Sequence, residues 1–212
     1  MNEPGRQGCF VSNDDYAALR SWMALDRATR LAHAGHLPDE HTARRRVEAA
    51  FVRHWAGVNW WSESTPAYGL LAGSDTLDAA VLFSGRTGFD RGSRLKSTIE
   101  ALISELGGGP YLSRYSGRQR EEGAFMAGTF WIVAAFVRTG RIDRAASLLD
   151  EAVGFGNHLG IFSEQVDPAT GGFLGKVRQS LSHLTPIKAA HASKNTRPPE
   201  AVVHCGEALE SR

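Results

Sequence analysis

The chain has 212 residues, enough for one substantial hydrophobic core and too few for two comfortable ones. Hydrophobic residues at 42% and charged residues at 22% give the composition of a soluble globular protein and exclude a disordered one. The formal net charge is +1 and the arginines are scattered, which argues against a nucleic-acid partner; no run reaches the roughly 18 apolar residues of a membrane span. Cys9 and Cys205 sit at opposite ends in polar surroundings, so free thiols in a reducing compartment are a simpler reading than a bridge. The opening MNEPGRQG has no apolar stretch behind its arginine, and a cytoplasmic protein is expected.

Residues 1–13 are polar and glycine-containing, and residues 1–20 are expected to form a poorly ordered lead-in. Asn13 or Asp14 suits the cap of a helix reaching about Ala34, with Leu19, Trp22, Met23 and Leu31 at helical spacing and Gly35 as the stop. A second helix is predicted from about Asp39 to Ala56, ended by Gly57. Residues 57–76 (GVNWWSESTPAYGLLAGSDT) have the chemistry of a loop, and a short helix from about Leu77 to Phe83 follows. Ser93 to Leu106 is clearly amphipathic, with Leu95, Ile99, Leu102 and Leu106 on one stripe, and Gly107 to Gly109 end it.

After a polar, aromatic loop comes AFMAGTFWIVAAFV, residues 124–137, apolar on every side. It is too short to cross a bilayer and too long for an ordinary strand, which predicts a buried helix. Its neighbour from Ile142 to about Phe155 is amphipathic, with Asp143 and Asp150 toward water, and RTGR is the turn between them. Residues 161–176 read as loop with a short extended pair around DPATGG. A last helix is predicted from about Val177 to Ala190, and residues 191–212 are expected to be a disordered tail. A wholly apolar helix alternating with amphipathic ones is what an α/α toroid requires, and it also suits a plain bundle or a solenoid. No fixed-period repeat supports the solenoid.

The segment IFSEQVDPATGGFLGKVRQSLSHLTPIKAA, residues 161–190, carries the sharpest signal. Taken alone, DPATG is a turn and Glu164 a surface carboxylate in a connecting loop. The order SEQ, DP.TG, LG and QSLSH before a final helix resembles the C-terminal catalytic segment of glycoside hydrolase family 15, the glucoamylase and bacterial trehalase-like family. EEGAFMAGTFW, residues 121–131, resembles the same family's loop into an inner helix. Two weaker matches are SWMALDRATRLA, residues 21–32, and SDTLDAAVLF with TGFD, residues 74–90. The resemblance implies an all-α fold, a partial (α/α)6 toroid with about seven of the twelve helices, spanning residues 21–190.

It also implies an inverting hydrolase of α-glucosidic bonds with Glu164 as general base. Such an enzyme needs an ionised carboxylate to activate water on the face opposite the leaving group. Glu122 is either an ordinary carboxylate at a helix N-terminus or a contact to sugar hydroxyls, and the resemblance favours the contact. Trp22 and Asp78 are implied to lie near the site. Trp60, Trp61 and Tyr68 suit stacking on pyranose faces, with core or rim packing as the equal alternative. His183 is expected to be a buried, hydrogen-bonded histidine, while Asp26 and Arg27 form either a structural pair or part of the site. His33, His36 and His41 lack a metal-site pattern, and no metal or organic cofactor is expected.

The resemblance breaks at the general acid. The family's glutamate follows a tryptophan shortly before the helix matched by residues 21–32, and this chain has no WE pair there. Glu63 is the only internal stand-in. Three functions follow: a hydrolase impaired alone for want of its acid, a non-catalytic carbohydrate-binding remnant, or a helical protein-interaction scaffold. An open toroid also leaves inner helices bare along its cut edge, so coverage by a partner chain or by self-association is expected.

Overall fold

The computed structural model describes residues 15–82, 87–90, 92–117, 122–177 and 179–194. Among these are six α-helices: α1 (Asp15–His33), α2 (Thr42–Asn59), α3 (Ser93–Leu106), α4 (Met126–Arg138), α5 (Ile142–Val153) and α6 (Ser180–Lys194). A 3-10 turn at Ala79–Leu82 stands where a short helix was predicted. The fold is all-α in its framework, a partially formed (α/α) toroid with no closed barrel among the described residues. No helix of the described residues is long and apolar enough to cross a membrane. Cys9 and Cys205 lie outside the described residues.

The helices divide by how they are covered. Every residue of α4 from Met126 to Val137 is buried, as its unbroken apolar sequence demands. In α5, which packs on α4, Ala145 and Ala152 are the buried positions, and its acidic residues face out. α4 also packs on α6, while α1 and α2 pair with each other. Phe130 and Phe136 of α4 are fully enclosed, and burying side chains of this size is worth roughly 1.5–3 kcal/mol each. The inner helix is thus the spine on which the site-bearing loops are hung.

Short β-pairs tie the loops down. β1 (Trp61–Ser62) pairs with β2 (Ala67–Tyr68), and β3 (Gly107–Gly108) with β4 (Tyr111–Leu112), both antiparallel. β5 (Ala124–Phe125), β6 (Ser163–Val166) and β7 (Phe173–Val177) form a three-stranded antiparallel sheet with β6 in the centre. Two-residue strands carry too little alternation to be legible in sequence. α6 begins and ends later than predicted because Phe173–Val177 is claimed by the ladder with β6.

The two ends of the arc are less well covered. Val47, Phe51 and Val58 lie on one stripe of α2 and are at least half exposed. On α6, Leu184 and Ile187 are 50% and 65% exposed.

Candidate active site

Glu164 stands in the middle of β6, half-buried. The strand is held in register by the turn that follows it. Asp167 Oδ1 accepts the Ala169 amide at 2.9 Å, Thr170 Oγ1 donates to Asp167 Oδ2 at 2.7 Å, and the Gly171 amide donates to the Asp167 carbonyl at 2.8 Å. The Thr170 hydroxyl, and then the Ala169 amide, hold the Asp167 carboxyl below the usual aspartate range. Gly171 closes the turn at φ +70°, a conformation that suits glycine.

Beyond the turn the ladder slips. Gln165 faces Leu174, yet Ser163 faces Val177, so β7 carries one extra residue opposite Glu164. A bulge of this kind re-aims the side chain beside it. Gly175 sits in it at φ +68°, and a Cβ there would fall 3.0 Å from Glu164 Oε2. The bare glycine lets the carboxylate lie over the backbone, where Oε2 accepts the Lys176 amide at 3.2 Å.

The other carboxylate oxygen is held by the residue that precedes α6. Gln179 Nε2 donates to Glu164 Oε1 at 3.3 Å, and Gln179 Oε1 accepts the hydroxyl of fully buried Ser182 at 3.0 Å. The Gln179 carbonyl lies 2.9 Å from His183 Nδ1, and the Phe162 amide donates to His183 Nε2 at 3.3 Å. Nε2 must therefore be the bare nitrogen and Nδ1 the protonated one, which makes His183 a neutral clamp with both ring atoms engaged. Phe162 meets the His183 ring edge-on at 5.8 Å and the Phe130 ring of α4 at 5.5 Å, so the clamp is anchored in the core.

Two further candidates come to the same sheet or its border. Glu122, half-buried, precedes β5, whose Phe125 pairs with Gln165 beside Glu164. At Gly123 a Cβ would meet the Val166 carbonyl oxygen at 2.8 Å, so glycine is what admits this close approach. Asp78 is 3% exposed; its Oδ1 accepts the Ala80 amide at 2.8 Å, and its backbone bridges to Tyr115. The neighbouring Arg114 guanidinium covers the rings of Tyr115 at 4.6 Å and Phe125 at 5.3 Å, which joins the Asp78 segment to β5.

The aromatic candidates form a second group. Trp22 is buried and meets Phe89 edge-on at 5.2 Å, and Phe89 also touches Trp60 at 6.3 Å. Trp61 is partly open, with Tyr68 edge-on at 5.5 Å and the Arg94 guanidinium above it at 4.6 Å. Tyr68 is buried and donates its hydroxyl to Asp90 Oδ2 at 2.8 Å; burial first, and then Asp90, push its phenol above the usual range. Asp26 pairs with Arg27 at 3.0 Å and Arg30 at 2.9 Å. Glu63 is exposed in the β1–β2 turn, where Ser62 and Ser64 direct their hydroxyls to Asp75. Among the described residues no three His, Cys, Asp or Glu side chains are grouped to hold a metal ion.

Sequence reasoning did not single out Gln179, Lys176 or Gly175. The LG and QSLSH motifs contained two of them, but nothing local marks a glutamine in a loop as the partner of a glutamate on the preceding strand.

No family model matches the chain. Among curated proteins it is similar to the trehalase of Mycolicibacterium smegmatis, 29% identical over 188 residues, covering 81% of this chain and 26% of that protein. The trehalase of Thermoplasma acidophilum is also 29% identical, over 82% of this chain and 31% of its own length. The chain thus spans only about a quarter to a third of these relatives. Among solved structures, a glycosidase variant in complex with glucose superposes with a TM-score of 0.75 at 13% identity, over 88% of this chain and 53% of that one. A family 15 glucoamylase from Hypocrea jecorina gives 0.65 at 14% identity, over 88% and 43%. The fold is that of part of a glucoamylase-type glycosidase toroid.

Proposed function

We propose that this chain is the C-terminal portion of a glucoamylase- or trehalase-type glycoside hydrolase, with Glu164 as the general base of inverting hydrolysis at an α-glucosidic bond. The observation that carries the proposal is the support of Glu164: a bulge, a bare glycine, one main-chain amide and one side-chain amide orient both carboxylate oxygens. In the reaction Glu164 takes a proton from water as the water oxygen bonds to the anomeric carbon, and the bond to the leaving oxygen breaks on the opposite face. That oxygen needs a proton from a second carboxyl group, about 6.5–9.5 Å away across the sugar. The residues that match the family pattern supply only the first group, so the acid and the remaining helices come from polypeptide outside this sequence. The exposed stripe on α2 and the pair Leu184 and Ile187 on α6 support coverage of the arc's ends by that polypeptide. Glu122 and Asp78 contribute the adjoining sugar contacts. A cytoplasmic setting fits cysteines read as free thiols.

The test exploits a leaving group that needs no proton. Hydrolysis of α-glucosyl fluoride by the chain should exceed the spontaneous rate and fall to it in Glu164→Gln, while trehalose and maltose, whose leaving groups require the acid, are turned over far more slowly. Equal fluoride hydrolysis by the chain and the variant would overturn the assignment and leave a carbohydrate-binding remnant.

A further inference from the structure

The bonds around Glu164 close into a ring. Its Oε1 accepts the Gln179 side-chain amide at 3.3 Å, the Gln179 carbonyl accepts His183 Nδ1–H at 2.9 Å, and His183 Nε2 accepts the Phe162 amide at 3.3 Å. From Phe162 the chain returns to Glu164 through Ser163, which is fully buried. The strand is therefore tied to the entry of α6 at two points, one on the carboxylate and one on the imidazole. Amides make up the rest of the ring, so its two proton-accepting members are Glu164 itself and His183.

Proton uptake by His183 breaks one of its bonds and spares the other. The neutral ring carries its hydrogen on Nδ1, so a second proton goes to Nε2, the atom that accepts the Phe162 amide. The bond from Nδ1 to the Gln179 carbonyl then becomes charge-assisted and stronger. At Nε2 two N–H groups face each other, and the tie to Phe162 opens. The ring is half-buried, within reach of solvent protons. Among the described residues the charged group on β6 is Glu164, that on β7 is Lys176, and that on α4 is Arg138 at its far end. On α6 the cations begin at Lys188, more than a turn beyond the ring; the acidic residues of α5, and His158 in the loop before Phe162, are exposed. Arg178 lies outside the described residues. None of the described groups forms an ion pair with His183, so no salt bridge locks the ring in either protonation state.

We infer that His183 is a positioning residue for Glu164, and that proton uptake at Nε2 frees β6 from α6 and displaces the carboxylate. Its effect on hydrolysis rests on the role proposed for Glu164; its effect on the place of that carboxylate does not. Two readouts separate these. In an NMR titration of the chain, over the range where it stays folded, the Glu164 carboxyl carbon and the Phe162 amide should each show a step that coincides with the His183 imidazole. For Glu164 that step is distinct from its own protonation. A single step at Glu164, its own, would overturn the inference.

The second readout is the pH profile of α-glucosyl fluoride hydrolysis. His183→Gln offers an acceptor to the Phe162 amide and stays neutral, so its acid limb should move to lower pH and follow the carboxyl alone. His183→Asn offers a donor to the Gln179 carbonyl and nothing to Phe162. It should be roughly five- to tenfold slower than His183→Gln at neutral pH, the worth of about one hydrogen bond. Hydrolysis that depends on Glu164 with the same acid limb in His183→Gln and the unaltered chain would overturn the inference and leave the hydrolase reading in place. No hydrolysis by any form, with the coincident step at Glu164 present, would overturn the hydrolase reading and uphold the positioning by His183.

Discussion

Gln179 donates its side-chain amide to Glu164 while accepting the hydroxyl of the enclosed Ser182, so one residue joins the carboxylate to the core of α6. Replacing it removes two bonds of different character. Gln179→Ala frees Glu164 on one side and leaves the Ser182 hydroxyl buried without its acceptor, at a cost of about 1–3 kcal/mol. Urea unfolding should show that loss, and hydrolysis of α-glucosyl fluoride should fall further than Ser182→Ala makes it fall. Equal effects of the two variants on hydrolysis would mean that Gln179 acts through stability alone.

Gly175 and Gly171 share a left-handed backbone and differ in what lies beside them. A Cβ at Gly171 meets nothing within 4 Å, whereas one at Gly175 meets the Glu164 carboxylate. Both Gly→Ala changes should destabilise by about 1–2 kcal/mol from backbone strain. Only Gly175→Ala should also displace Glu164, seen as lost fluoride hydrolysis at temperatures where both variants remain folded.

The Asp167 turn titrates in a predictable direction. Its folded-state carboxyl is held below its unfolded value, chiefly by the Thr170 hydroxyl. Its contribution to stability is complete above the ordinary aspartate range, near pH 4, and is lost as pH falls through the depressed value. Thr170→Val should return Asp167 upward in an NMR titration, leaving the main-chain amides of residues 169 and 170 as the remaining support.

Tyr68 behaves in the opposite sense. Its phenol is raised by burial and by Asp90, so the stabilisation it brings is present below the ordinary tyrosine range, near pH 10, and declines as pH rises through the higher folded-state value. Tyr68→Phe should remove the late-ionising phenol from an alkaline absorbance titration and cost about 1 kcal/mol for the lost bond to Asp90.

Leu184 and Ile187 should govern association. Sedimentation of the chain at rising concentration should show self-association, and Leu184→Lys with Ile187→Lys should reduce it without lowering the unfolding temperature appreciably, because both side chains are largely in water.

What the sequence made legible follows from the range of the forces involved. The α3 limits matched because Leu95, Ile99, Leu102 and Leu106 form a local stripe and Gly107 ends it. α4 was recognisable because no polar residue interrupts it from Met126 to Val137 apart from Thr129. Glu164 stood out only through the motif around it, and its support from Gln179 and Gly175 depends on a one-residue slip between strands that no local pattern encodes. Trp60 illustrates the reverse: the sequence left stacking on sugar and packing in the core equally open, and it is buried against Phe89, as is Trp22, which the resemblance implied to lie near the site.

The central claim is that Glu164 activates water on the face opposite the departing group. The most direct measurement is the configuration of the first glucose released from α-glucosyl fluoride, read by proton NMR before mutarotation. The account predicts β-glucose from the chain and none above background from Glu164→Gln. Release of α-glucose, or β-glucose formed as readily by the variant, would contradict it.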